Sequence, residues 1–188
     1  ATWVAALRYL RSQNVTNRGD QIWLMPNHQE TVRLAAGIPM NVAGVSVFGM
    51  SQGASRPRIT FESDAAASIL VSAANCGIYN VVGIAGIAGL TQPFDVTGSD
   101  CHLDIEWQDT SAALSAARAV LATGADRLDF TVAYRGFVSG TQVVNAVRLN
   151  DCNHVAVTLD AYGVNSRAWV EFVGVLSTNV FVKGKTYT

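Results

Sequence analysis

Residues 147–157 read VRLNDCNHVAV, and this stretch contains the pattern that decides the fold. Val147 and Leu149 alternate with other residues before a polar step, and Val155 and Val157 alternate again after it. A period of two is typical of a β-strand with one buried face. The step between the two pairs, residues 150–153, is rich in Asn and Asp, which favour a sharp bend. The stretch therefore predicts a strand, a bend and a second strand.

The same pattern occurs six times along the chain. The pairs before the step are Ile38/Met40, Ile69/Val71, Phe94/Val96, Leu121/Thr123, Val147/Leu149 and Val173/Val175. Thr123 is the one polar residue in an expected inward position. The first apolar residue after the step recurs at intervals of 31, 25, 27, 27 and 25 residues, at Val45, Cys76, Cys101, Leu128, Val155 and Val180.

A repeat of this length holds only two or three short strands, so it must stack on its neighbours to bury its apolar face. An up-and-down barrel or a sandwich also has many short strands, but not this regular multi-strand period. The sequence therefore predicts an all-β chain, a single-stranded right-handed parallel β-helix of about six coils. The glycine-rich residues 83–89 are predicted to form a flexible loop or a contact surface.

The N-terminal residues have a different, helical period. Residues 2–13 place three apolar side chains on one helical face, and Thr2 is a suitable N-cap; the three are Trp3, Leu7 and Leu10. We expect residues 1–18 to form an amphipathic helix that caps the first coil, and residues 19–188 to form the β-helix. No closing helix is visible after the last repeat, where residues 183–188 are mostly polar.

Three cysteines are present, and their spacing fits neither a CxxC nor a Cys/His metal pattern. Cys76 and Cys101 fall in the inward column, so we expect buried, reduced thiols there. Cys152 falls in a step and is expected to be more accessible. The sequence predicts no metal site and no cofactor.

Composition limits the classes of partner. Hydrophobic residues make up 49% of the chain and charged residues 14%, which excludes intrinsic disorder. The net charge is −1, so no overall field attracts nucleic acid or an anionic membrane. The apolar runs are shorter than the roughly 18 residues that a membrane-spanning helix needs. We therefore expect neither nucleic acid nor a membrane as a partner.

Residues 19–32, GDQIWLMPNHQETV, resemble the opening of β-helix structural proteins of tailed bacteriophages, of the head-decoration or appendage type. Residues 41–45, 53–57 and 72–75 resemble the next coils of the same family. The resemblance implies a non-enzymatic virion protein that is assembled in the host cytoplasm. It also implies a homotrimer that binds the capsid or other virion proteins.

Two groups of residues could carry acid–base chemistry. His28 and Glu30 follow Pro26 and Asn27, and we expect them to fix that turn by hydrogen bonds. Many β-helix proteins act on polysaccharides, so outward acids on adjacent coils are the second group. The register places Asp129 beside His102 and diagonal to Asp104, which gives weak candidates for a tailspike-like glycoside hydrolase or lyase. The favoured interpretation has no catalytic residues.

Contact residues are the better-supported prediction. Phe48 and Tyr79 occupy the same outward position on adjacent coils, and Phe181 also points outward. Exposed aromatic residues on a weakly charged solenoid indicate a protein partner, although the protein's own loops could also cover them. Arg56 and Arg58 flank Pro57 and could bind a carboxylate of a partner. A receptor-binding module and a fragment of a bacterial surface adhesin remain as alternatives.

Overall fold

The computed structural model describes residues 2–13, 17–111, 113–136, 144–164, 166–174 and 178–187. Within these ranges the chain forms one α-helix, a 3₁₀ turn at Gly53–Ser55 and fifteen β-strands. The elements are α1 (Trp3–Ser12), β1 (Gln21–Leu24), β2 (Gln29–Val32), β3 (Ile38–Met40), β4 (Ser46–Gly49), β5 (Arg58–Phe61), β6 (Ile69–Val71), β7 (Gly77–Ala85), β8 (Phe94–Val96), β9 (His102–Gln108), β10 (Val120–Thr123), β11 (Asp126–Arg135), β12 (Val147–Asn150), β13 (Asn153–Tyr162), β14 (Val170–Val173) and β15 (Val180–Tyr187). None of the described helices is long and apolar enough to cross a membrane.

The strands form two parallel sheets. The nine-strand sheet has the order β1-β4-β7-β9-β11-β13-β15, with β2 beside β5 and β5 beside β7. The six-strand sheet has the order β14-β12-β10-β8-β6-β3. Each strand pairs with the equivalent strand of the neighbouring coil, so the chain is a parallel β-solenoid of about six coils. The predicted β-helix is confirmed.

The inward column of the nine-strand sheet has the predicted register. Leu128 pairs with Val155 and Val155 with Val180. The amide of His102 donates to the carbonyl of Cys76. Alternate residues of these strands are buried because they fill the space between the two sheets.

For two coils of the six-strand sheet, the predicted inward residues were wrong by one position. Val120 and Ala122 face inward instead of Leu121 and Thr123, because Val120 pairs with Phe94 and Val147. Thr123 is exposed, so no polar residue breaks the column. Residues 119–122 are all apolar and therefore do not reveal which alternate pair is buried.

In the last coil Val170 and Phe172 continue the inward column, so the prediction for Val173 was wrong. Val175 lies outside the described residues. Phe172 is 47% exposed because no further described coil covers it.

The bend that leads into the nine-strand sheet has the same backbone on every coil. The residue immediately before the inward column has a φ between 54° and 79°, in the left-handed region; these residues are Gly19, Gly44, Asn75, Asp100, Arg127, His154 and Asn179. Gly, Asn and Asp adopt this conformation at low cost, which explains the composition of the steps. Arg127 and His154 are the two departures from that composition.

Strand β7 joins two segments that are separate strands in the preceding coils. Its first part pairs with β4 and its second part with β5, and a β-bulge lies between Tyr79 and Val81. The bulged residue, Asn80, has φ +56°. Its side-chain Nδ2 donates to the carbonyl oxygens of Gly49 at 2.8 Å and Ser51 at 2.7 Å, so it also fixes the preceding coil.

The prediction of a loop at residues 83–89 was wrong for its first part, because Gly83 and Ala85 belong to β7. A Cβ atom on Gly83 would lie 2.7 Å from the ring of Trp107. Glycine is needed here because the neighbouring coil packs a large ring against this backbone.

Helix α1 covers the N-terminal coil, as predicted. It buries Trp3 and Leu7, and Thr2 Oγ1 accepts a hydrogen bond from the amide of Ala5 at 3.1 Å. Glu30 Oε2 accepts a second one from the amide of Trp3 at 2.8 Å, and lies 3.1 Å from His28 Nε2. His28 and Glu30 therefore do more than fix a turn: they attach the positive end of the helix to the first coil.

The cysteine prediction was half right. Cys76 and Cys101 are buried, but so is Cys152, which has no exposed surface. The bend turns its side chain into the interior, as it does for Ala125 one coil earlier. Burial raises the pKa of the Cys152 thiol, so this group is not a reactive surface thiol.

Candidate interaction surface

Four rings lie against one another on the outer face of the nine-strand sheet, and we call them the aromatic strip: Trp23, Phe48, Tyr79 and His102. Their centroids are 5.0 Å, 4.7 Å and 4.7 Å apart in chain order. The corresponding interplanar angles are 25°, 7° and 19°, so all three pairs are stacked. The strip spans four successive coils.

The register explains how the strip is built. Trp23, Phe48 and Tyr79 are direct partners in β1, β4 and β7. His102, however, pairs with Gly77. The ring of Tyr79 lies across Gly77, where any side chain would clash with it. Gly77 therefore allows Tyr79 to reach His102 diagonally and to extend the strip by one coil.

The strip presents mainly ring edges. Both faces of Phe48 and of Tyr79 are covered by the neighbouring rings, so a flat ligand cannot stack on them. Trp23 is 53% exposed and lines a cleft of about 200 Å³ together with Ala6 and Met25. A row of ring edges beside an exposed tryptophan and methionine has the chemistry of a protein contact surface.

The predicted polar cluster lies at the far end of the strip. His102 Nδ1 is 3.1 Å from Asp129 Oδ2, and these residues are direct partners in β9 and β11. Asp104 pairs with Tyr79. Partial burial, together with the charges of Asp129 and Asp104, raises the pKa of Tyr79, so its hydroxyl stays neutral. The three predicted residues are therefore close to one another and in contact with the strip.

A second cleft, of about 210 Å³, adjoins the predicted arginines. Arg56 already donates to Glu106. Burial alone would raise the pKa of Glu106, but the hydrogen bond from Arg56 helps to hold it below its usual range. Arg58 forms no ion pair with any described residue and lines the cleft beside His28 and Gln29. Of the two arginines, Arg58 is the one that is open to a partner.

Phe181 is separate from the strip. It is 65% exposed and pairs with Ala156, which places it three coils beyond His102. It belongs to the exposed apolar surface of the last coil, with Phe172, Val182 and Tyr187. No group of described residues has the composition of a metal site.

Sequence reasoning missed two members of the strip. Trp23 precedes Phe48 by one coil interval and occupies the same outward position, so the repeat could have identified it. His102 was considered only as a titratable group. Its stacking could not be foreseen, because it depends on the tilt of Tyr79 over Gly77.

These features define a parallel β-solenoid that has a helix over its first coil and an aromatic strip on its longer sheet. No protein-family model matches the chain, and no curated protein or solved structure shows significant similarity to it.

Proposed function

We propose that the chain is a non-enzymatic virion structural protein, a β-solenoid decoration or appendage that assembles as a trimer and binds neighbouring virion proteins. The observation that carries this proposal is the aromatic strip, four stacked rings on the outer face of the nine-strand sheet. Surface rings in a continuous row indicate burial against a partner. The sequence resemblance to phage β-helix proteins supplies the virion setting.

A second copy of the chain is the proposed occupant of the strip. The row of ring edges runs along the coil axis, so it fits an equivalent row on a parallel copy around a three-fold axis. Trp23 and Met25, which are 53% and 65% exposed, supply the large apolar side chains that anchor such contacts. The cleft beside Arg58 and the exposed last coil remain available for the capsid.

Sedimentation equilibrium tests the trimer. We expect a trimer for the native chain and a folded monomer for the double variant Trp23→Ser, Phe48→Ser, because both rings are removed from the contact. Tyr9→Ser is the matched control, since Tyr9 is 64% exposed on α1 and lies outside the strip. A native monomer at micromolar concentration, or a trimeric double variant, would rule out this use of the strip. Labelling of intact particles would then test the virion location.

A carbohydrate-active enzyme is the second candidate, favoured by one contact. The His102–Asp129 pair beside Asp104 could provide an acid and a base. The double variant Asp104→Asn, Asp129→Asn is expected to keep folding, assembly and any activity on host polysaccharide. Asp160→Asn is the control, because Asp160 pairs with Arg135 on the same sheet. Loss of polysaccharide cleavage in the double variant alone would establish the enzyme.

A further inference from the structure

A group of charged and polar residues lies on the outer side of the six-strand sheet, near its C-terminal end, and we call it the arginine cluster: Arg118, Asn145, Arg148, Arg167 and Glu171. Arg148 in β12 is the direct partner of Glu171 in β14. Arg118 and Asn145 each lie two residues before a strand of the same sheet, β10 and β12. The cluster is on a different sheet from the aromatic strip.

The single carboxylate of the cluster is already shared among several donors. Glu171 Oε1 accepts from Arg167 Nη1 at 2.9 Å, and Oε2 accepts from Asn145 Nδ2 at 2.7 Å. Arg148 Nε lies 3.6 Å from the same Oε2. The hydrogen bond from Arg167, together with the charges of both arginines, holds the pKa of Glu171 below its usual range. Glu171 is therefore ionised and has little capacity left for a further cation.

Arg118 has no counter-ion among the described residues. Its Nε is buried and has no hydrogen-bond partner. Burial and the nearby charge of Arg148 lower the pKa of Arg118, and the charge of Glu171 offsets only part of this effect. The other acidic residue in the strands of this sheet is Asp95 in β8, and its carboxylate accepts from Gln92 at 3.1 Å. A partly buried guanidinium without an anion is unfavourable, so the site has an unmet preference for a negative group.

We propose that the arginine cluster binds a carboxylate side chain of a protein partner, with Arg118 and Arg148 as the donors. The planar guanidinium group matches a carboxylate with two parallel hydrogen bonds. The occupant is a protein because β14 carries both Glu171 and the 47% exposed Phe172, so the cluster adjoins the apolar surface of the last coil. This site is independent of the trimer contact through the strip.

The test uses the full chain and a blocked peptide of alternating Glu and Phe as the probe. Calorimetry measures its affinity for the native protein, for Arg118→Gln and for Arg33→Gln. We expect Arg118→Gln to weaken binding about tenfold or more, the effect of losing a charge-assisted hydrogen bond. Arg33→Gln should bind as the native chain does, because Arg33 pairs with Glu62 at the edge of the other sheet.

Two further arms keep the test decisive even if Arg118→Gln does not fold. Replacing Glu by Gln in the peptide should abolish binding to the native protein, a comparison that needs no protein variant. Inorganic phosphate alone should compete only weakly with the peptide. Equal binding of the Glu and Gln peptides, or tighter binding of phosphate than of the Glu peptide, would overturn the proposal.

Discussion

At the scale of single residues, the bend that leads into the nine-strand sheet has a left-handed backbone conformation on each coil. Seven described residues share this backbone at the same bend, and five of them are Gly, Asn or Asp. His154 has the same left-handed conformation, with φ +54°, which is strained for this residue type. Its Nδ1 lies 2.9 Å from Asp126 Oδ1, on the solvent side. An exposed pair of this kind contributes little to stability.

We therefore predict that His154→Asn stabilises the protein. Asn adopts the left-handed region more readily, which should raise the free energy of unfolding by roughly 0.5–1 kcal/mol. Chemical denaturation measures the change. The control is Thr158→Asn, at an exposed position of the same strand where the backbone is extended. If both substitutions have the same effect, backbone strain at His154 is not the cause.

Asp109 is the residue at which stability and pH are coupled. It is buried, and its carboxylate accepts from Trp107 Nε1 at 2.9 Å, from Tyr134 Oη at 2.8 Å and from the amide of Ala116 at 3.1 Å. Burial raises the pKa of Asp109 despite these bonds. The folded state therefore binds this proton more strongly than the unfolded state does.

The resulting prediction concerns the slope of stability with pH. The stabilisation from protonated Asp109 is complete below the unfolded pKa and is lost as pH rises through the folded pKa. The free energy of unfolding of the native chain minus that of Asp109→Asn should therefore fall as pH rises from the acid range to neutrality. Urea denaturation at several pH values measures it. A difference that is flat or rises with pH would contradict the raised pKa.

At the scale of elements, α1 depends on a contact that is distant in sequence. Glu30 is 27 residues from Trp3, and its carboxylate accepts from the Trp3 amide, in addition to the local cap that Thr2 provides for the first turn. We predict that Glu30→Ala lowers the free energy of unfolding by about 1–2 kcal/mol, because the Trp3 amide loses its partner. Loss of helical circular dichroism at lower denaturant should accompany it.

Glu62→Ala is the matched control for Glu30. Glu62 pairs with Arg33 near the surface, where removal of one partner has a small effect. Glu30→Gln keeps one carbonyl acceptor and should retain part of the stability. If Glu30→Ala and Glu62→Ala are equally stable, Glu30 does not anchor the helix.

The elements that could be predicted are those in which local alternation agrees with burial. The coil interval, the column from Val45 to Val180 and the helical face of Trp3 and Leu7 follow from periodicity alone. The position of Val120 could not be predicted, because residues 119–122 are all apolar and do not show which alternate pair is buried. Contacts between distant residues, such as Glu30 with α1, leave no local pattern.

The candidate surface was predictable to a similar extent. The outward orientation of Phe48 and Tyr79 follows from strand parity, and the stacked structure agrees with it. The burial of Cys152 could not be predicted from the sequence. The alternation of inward and outward side chains holds only within a strand, and in a bend the direction of a side chain depends on the φ and ψ angles. The functional roles of these residues stay predictions.

At the scale of the whole molecule, the two ends differ. Helix α1 covers the first coil, whereas the strands of the last coil, β14 and β15, are largely exposed. Stability in a solenoid is a sum over neighbouring coils, so local opening should begin where a coil has a single neighbour. Among the described coils, the last one is therefore expected to open first.

The three cysteines report this order of opening. In the native protein we expect all three thiols to resist maleimide, since each is buried. At denaturant concentrations below the main transition, Cys152 should react before Cys76 and Cys101, because it lies nearer the exposed end. Mass spectrometry of digested samples measures the order. Simultaneous labelling would show that the coils open as one unit.

The unequal exposure of the tryptophans gives the molecule a built-in optical probe. Of the four indoles, Trp3 and Trp107 are fully buried and Trp169 is half-buried, whereas Trp23 is 53% exposed at the open end of the strip. In the monomer, red-edge excitation should therefore select Trp23, and its emission should be quenched by iodide. Any molecule that covers the strip will shift that emission to the blue and protect it from the quencher, so docking can be followed without a label.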